Sequence, residues 1–248
     1  MAGSTTTFTT ARLLTPDYLV QGQDNPLACP LYLSGALVAP TQAGSTVSVY
    51  DASNRAVVSA AAVTVTANVA TYTVPASVLP SSLSRGMGWR VEWSLVVAGV
   101  ATVYRNSAGL VRSPLAPMVT DQDLFRRESG LNPARPAPLS TLENYQDYLD
   151  EAWVTIHGKL AAKGSLPHLI MEPTALRECM IFLTLNLIFE DFKTRLGEAY
   201  TEKATKYEER FEKAWSDLAF EYDKTDSGQS DGRRKRSANP TLWLGGFD

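Results

Sequence analysis

Side chains able to do acid–base or metal chemistry are scarce in this chain. It has two histidines, His157 and His168. His157 follows Ile156 in an apolar, helix-periodic stretch and reads as a satisfied core or surface histidine, and His168 stands isolated behind Pro167 in a loop. The acidic run Glu143, Asp147, Asp150 and Glu151 could in principle hold a metal or exchange a proton, but carboxylates at this spacing are the solvated face of a helix. Asp121 and Asp123 read as acids of a helix first turn. No HExxH, P-loop, strand–GxGxxG–helix or GxSxG pattern occurs, and Gly86-Met87-Gly88 is a turn before a strand. Cys29 and Cys179 are too few for a structural zinc site and read as free buried thiols. The expectation is a non-enzymatic assembly protein with no catalytic residue, no cofactor and no metal.

What remains is chemistry of association. Arg233, Arg234, Lys235 and Arg236 form a basic run that could meet phosphate or acidic protein surface; flanking aspartates and the apolar terminus favour protein. Beyond it lie Leu242, Trp243, Leu244 and Phe247, large apolar residues on a segment too poor in apolar residues to fold alone. Such residues suggest a docking peptide. A further stripe, Tyr200, Ala204, Tyr207, Phe211, Ala214 and Leu218, keeps a 4-3-4-3-4 spacing with Glu and Lys between, a heptad seam. It could pack within its own subunit or against a neighbouring copy, and Tyr200, Tyr207, Phe211 and Leu218 are its candidate subunit-packing residues.

The elements that must carry these groups divide the chain. Residues 1–118 hold six Arg, no Lys and four acids, a balance of +2, whereas 119–248 hold 17 basic and 22 acidic residues, a balance of −5. Lys and Glu suit helix surfaces, so the shift marks a β-to-α boundary. Residues 1–18 read as a flexible arm without a signal peptide, and 19–113 as an antiparallel immunoglobulin-like β-sandwich. Turns are expected at Asp51-Ala52-Ser53-Asn54, Ala67-Asn68 and Ala98-Gly99, with Trp89, Val91, Trp93 and Leu95 on one strand face. The linker is 114–119, around Ser113-Pro114-Leu115-Ala116-Pro117.

The second half, 120–222, reads as a helical bundle, so the whole is α+β in two domains. A short helix starts at Thr120. Ser140-Thr141-Leu142-Glu143 is a capping box opening an amphipathic helix through Tyr145, Leu149, Ala152, Ile156 and Leu160. Pro173 opens a helix, Thr174 to Leu196, that is apolar on most sides and belongs at the bundle centre. Residues 223–248 form an extended tail. The longest apolar run, near Cys179 to Phe189, is too short and too interrupted by Thr184 and Asn186 to span a membrane.

The order of these parts resembles the head–tail connector (adaptor) proteins of tailed bacteriophages. The resemblance covers 119–248: a leading helix with Asp121-Gln122-Asp123-Leu124-Phe125, an amphipathic helix, a loop reaching Pro173, an apolar helix, a Lys/Glu helix and a tail. It implies a dodecameric ring beneath the portal of the phage head, with the tail inserted into the portal, and a virion protein assembled in the bacterial cytoplasm. On that reading Leu242, Trp243, Leu244, Phe247 and Arg233 to Arg236 dock the portal, a downstream tail or nozzle protein is the other neighbour, and double-stranded DNA passes without specific binding. The β-rich first half departs from small adaptors and is a candidate platform for tail fibres. The alternative is a baseplate or fibre-attachment module binding through the sandwich.

Overall fold

A computed structural model of the chain describes residues 9–11, 13, 15–135, 139 and 142–235, without the side chains of 195, 196, 199 and 233–235. It divides into two compact units, Met1–Pro114 and Leu115–Asp248. The first is β-sandwich-like and the second is largely helical.

The first unit contains β1 (Thr10–Ala11), β2 (Asp17–Val20), β3 (Asn25–Cys29), β4 (Leu31–Leu33), β5 (Ala36–Val38) and β6 (Thr41–Tyr50). It continues through β7 (Ala56–Ala62), β8 (Thr64–Thr66), β9 (Val69–Val74), β10 (Gly86–Val97) and β11 (Val100–Val111). One sheet runs β2-β11-β10-β6-β7, a second β3-β9-β8 and a third β1-β4-β5. Alternation decides the faces: Trp89, Val91, Trp93 and Leu95 of β10 are buried while Arg90, Glu92 and Ser94 are half-buried opposite them. The buried face meets Leu27, Cys29, Ala70 and Val74 of the β3-β9-β8 sheet in one core. Two-residue hairpins form where expected. Ala67 and Asn68 (φ 48° and 66°) join β8 to β9, and Ala98 and Gly99 (φ 49° and 80°) join β10 to β11. These left-handed pairs match the twist of the flanking strands. The third turn is fixed by Asp51, whose carboxylate accepts the Ser53 and Arg55 N–H groups at 2.9 Å each.

Two expectations need correction here. β2 pairs with β11 in parallel, Leu19 beside Leu110, so the unit is not antiparallel throughout. A period-two pattern fixes which face a residue takes but not the direction of its neighbour. The Asn25 side chain locks the end of β2 by accepting the Val20 N–H at 2.6 Å and donating to the Val20 carbonyl at 3.0 Å. Nor are residues 1–18 wholly an arm. Thr10 and Ala11 pair with Tyr32 and Leu31, Tyr104 donates its hydroxyl to the Thr9 carbonyl, and Asp17 begins β2. Residues 1–8 lie outside the described chain.

The second unit contains α1 (Asp121–Arg127), α2 (Gln146–Ala162), α3 (Arg177–Leu196) and α4 (Thr201–Asp217), then β12 (Ala219–Glu221) and β13 (Arg233–Lys235). Leu115 and Val119 are buried in its core, so 115–119 belongs to this unit and is not a free linker. α1 starts on a capping box in which the Thr120 N–H donates to Asp123 at 3.0 Å. Arg177 donates to the same carboxylate at 2.5 Å and ties α1 to α3. α2 begins at Gln146, later than the expected Ser140 box, of which Ser140 and Thr141 lie outside the described residues. The reason is Tyr145. It is fully buried, its N–H donates to Asp121 and its hydroxyl to the Leu131 carbonyl, so the α1 region claims it before the helix starts. α3 is buried on most sides, with Leu185, Ile188 and Phe189 fully enclosed.

Residues 223–235, expected as the start of an extended tail, fold back instead. Ala219, Phe220 and Glu221 of β12 pair with Lys235, Arg234 and Arg233 of β13. The turn closes on Asp223, whose carboxylate accepts the N–H groups of Ser227 and Gly228. Met171 N–H donates to the Glu221 carbonyl and Asp223 N–H to the Leu169 carbonyl, which fastens the hairpin to the loop before α3.

Candidate functional site

The residues expected to bind partners are distributed unevenly. Leu242, Trp243, Leu244, Phe247 and Arg236 lie outside the described residues. The backbones of Arg233, Arg234 and Lys235 belong to β13, so this part of the basic run is a strand and not a free tether. Tyr207, Phe211 and Leu218 are buried in the core of their own unit, with Tyr200 packed against it. The Tyr207 ring stacks on Phe189 at 5.8 Å and on Phe182 at 6.3 Å, and Tyr200 stacks on Phe189 at 6.1 Å. This corrects the subunit-packing expectation: the seam is consumed inside the subunit, because α3 offers it an aromatic face at the same spacing.

Polar groups secure that seam. Lys203 and the Tyr207 hydroxyl both donate to Glu128 at 2.6 Å, joining the end of α1 to α4. Burial pushes the Glu128 carboxyl up, but the Lys203 and Tyr207 bonds outweigh it and hold the group below its ordinary range. Burial and the Glu128 contact push the Tyr207 phenol up.

The same packing leaves an open groove of about 570 Å3 on this unit. Its lining mixes the buried side chains of Cys179, Phe182 and Leu218 with Arg127, Arg210, Lys213, Glu178 and Asp217, and more of its surface is polar than apolar. Arg127 donates to Glu178 at 2.7 Å. The guanidinium carbons of Arg127 and Arg210 sit 5.5 and 5.8 Å from the Phe182 ring centre, within cation–π range. Ala219, the first residue of β12, also lines it. The sequence reading placed Phe182 in the core but missed the groove, because its walls come from separate helices. The available signal was local: Arg210, Lys213, Ala214 and Asp217 share one face of α4 at three- and four-residue spacing.

His157 and His168 are elsewhere in this unit. His157 is buried on α2, and His168 sits in a helical turn, Pro167–Leu169. Burial lowers both from their ordinary pKa, and the neighbouring His168 lowers His157 further. Among the described residues no group of three or more His, Cys, Asp or Glu is placed to hold a metal ion, and no helix is long and apolar enough to cross a membrane.

No family model matches the chain, and no curated protein matches it. Among solved structures, a three-Ig structure of titin domains in an E-to-A mutated variant is 18% identical over 45% of this chain, with a TM-score of 0.25. An I-band fragment from titin is 13% identical over 44% of this chain, with a TM-score of 0.23. The chain covers 37% of the length of each.

Proposed function

We propose that this chain is a non-enzymatic structural virion protein of a tailed bacteriophage, which forms a ring joining the portal of the head to the tail and extends the DNA exit channel. The observation that carries the reading is the order of parts in the second unit. A short capped α1, a long α2, a loop reaching Pro173, the buried α3 and the Lys/Glu-rich α4 follow one another as in head–tail adaptors. The large apolar residues at 242–247 come after a unit whose own seam is already satisfied, which leaves them for a partner. Ring contacts then use surfaces other than the α4 seam. The first unit, as an immunoglobulin-like sandwich, is the platform for tail proteins or fibres.

The test is attachment. Deleting residues 239–248 leaves a folded protein that no longer joins portal-bearing, DNA-filled heads in a sedimentation assay, and Trp243→Ala reproduces most of the defect. Normal attachment without the tail sinks the reading. It would favour the second one, a baseplate or fibre-attachment module using the sandwich. One observation speaks for that alternative: Val100 and Val103 on the β10–β11 hairpin are 64% and 52% exposed.

A further inference from the structure

We infer that the helical unit binds a second copy of this chain head to tail, the cationic flank of α4 in one copy meeting the acidic face of α2 in the next. The charges on this unit are sorted by side. Lys206, Arg210 and Lys213 recur along α4 at four- and three-residue spacing, so they share one flank of the helix, and all three are exposed. Glu208 and Glu212 share the other flank, where Lys159 of α2 meets Glu212 at 3.3 Å. On α2 the charged residues of the first two turns, Asp147, Asp150 and Glu151, are exposed and all acidic.

These charges are not spent inside the subunit. Lys203 is held by Glu128 and Arg127 by Glu178. Among the described residues Lys206, Arg210 and Lys213 form no salt bridge. Lys206 and Arg210 rest instead beside the Tyr207 ring, at 5.5 and 5.6 Å from its centre. Asp147 and Glu151 likewise form no salt bridge among the described residues, and Asp150 accepts the Gln146 amide at 2.7 Å. The groove gives the occupant its character. Arg210 and Lys213 line it with Arg127, and a lining more polar than apolar suits a wet, charge-matched contact. A helix presenting Asp147, Asp150 and Glu151 offers carboxylates at the same three- and four-residue spacing as the cations. Because α3 packs against both α2 and α4, each copy carries one side of each sign. Such a contact is heterologous and repeats from copy to copy, closing into a ring or running on as a filament. Its use as a ring contact rests on the function proposed above, whereas the association itself does not.

The experiment is light scattering on the full chain. Exposed ion pairs are individually weak and screened by salt, so the parent associates at about 50 mM salt and is monomeric at about 500 mM. Arg210→Gln with Lys213→Gln blanks the cationic side, and Asp147→Asn with Glu151→Gln blanks the acidic one. Both double variants change exposed positions, stay folded by far-ultraviolet circular dichroism, and are monomeric at low salt. Mixed in equal amounts they keep one intact side each and form a pair of twice the monomer mass that grows no further. A parent that is monomeric at low salt overturns the proposal, since the cationic side would then serve an acidic partner of another kind. So does association that persists at high salt or in either variant, or a mixture that stays monomeric. No phage head enters the assay. A chain that associates as stated but fails to join heads loses only the adaptor reading, and one that joins heads while its association ignores these charges loses only this contact.

Discussion

Asp17 shows how one residue can be carried at a cost to its fold. Burial on β2 pushes its carboxyl up to about 6, and the Asn106 amide, donating at 3.0 Å, offsets only part of that. The folded-state value lies above the ordinary 3.8, so the folded state holds this proton more tightly and stability falls as pH rises from about 4 to about 6. Asp17→Asn keeps an acceptor for Asn106 and removes the buried charge. Melting curves should show the variant more stable than the parent at pH 7.5, with the difference vanishing at pH 4. An unchanged difference across that range would mean that Asp17 does not titrate as stated. Burial first, and then the charge of Asp17, push the Cys29 thiol up to about 12, so it stays protonated and unreactive. Free buried thiols were legible in the sequence from their number, too few for a structural zinc site. The state of Asp17 was not, because it depends on Asn106 and β11, far along the chain.

At the scale of elements, α3 and α4 were the most legible parts, since their apolar spacing is long and unbroken. Phe189 is fully buried among the rings of Phe192, Tyr200 and Tyr207. Phe189→Ala should cost about 3–5 kcal/mol, lowering the melting point of the helical unit by roughly 10 °C or more. A shift of a degree or two would contradict the packing. Trp215 was missed, although it is buried and stacks on Phe211 at 6.0 Å, because the regular 4-3-4 count lands on Ala214. The β12–β13 hairpin was also missed. Its turn is polar and resembles a tail, and what holds it is the Asp223 carboxylate and the Leu169–Met171 backbone, contacts without a periodic signature. The groove follows from the same limit, since no single helix contains it.

For the whole molecule, the two units answer acid in opposite senses. In the helical unit His157 and His168 have folded-state values below the ordinary 6.5, so their contribution is complete above that pH and is lost as pH falls. In the β unit Asp17 gains its proton over the same interval and stability rises. Calorimetry of the full chain at pH 7 and pH 5 should therefore resolve two transitions that move apart or cross, the helical one downward and the β one upward. Helical and aromatic circular dichroism would assign them. Midpoints that move in the same direction would contradict the assignment of these groups. The composition break near residue 118 already separated the units, but nothing in it gave the sign of either response.

The parallel pairing of β2 with β11 also has a mechanical meaning. The chain enters the β unit's large sheet at Asp17 and leaves it at Val111, and these strands lie side by side with the same direction. A pull applied between those two ends therefore runs along the strands and shears the ladder from Ala108 beside Asp17 to Val111 beside Val20 as a set. In an antiparallel pair held at adjacent ends, the bonds would open one at a time. A unit wired in this way transmits tension into whatever follows Pro114 before it yields.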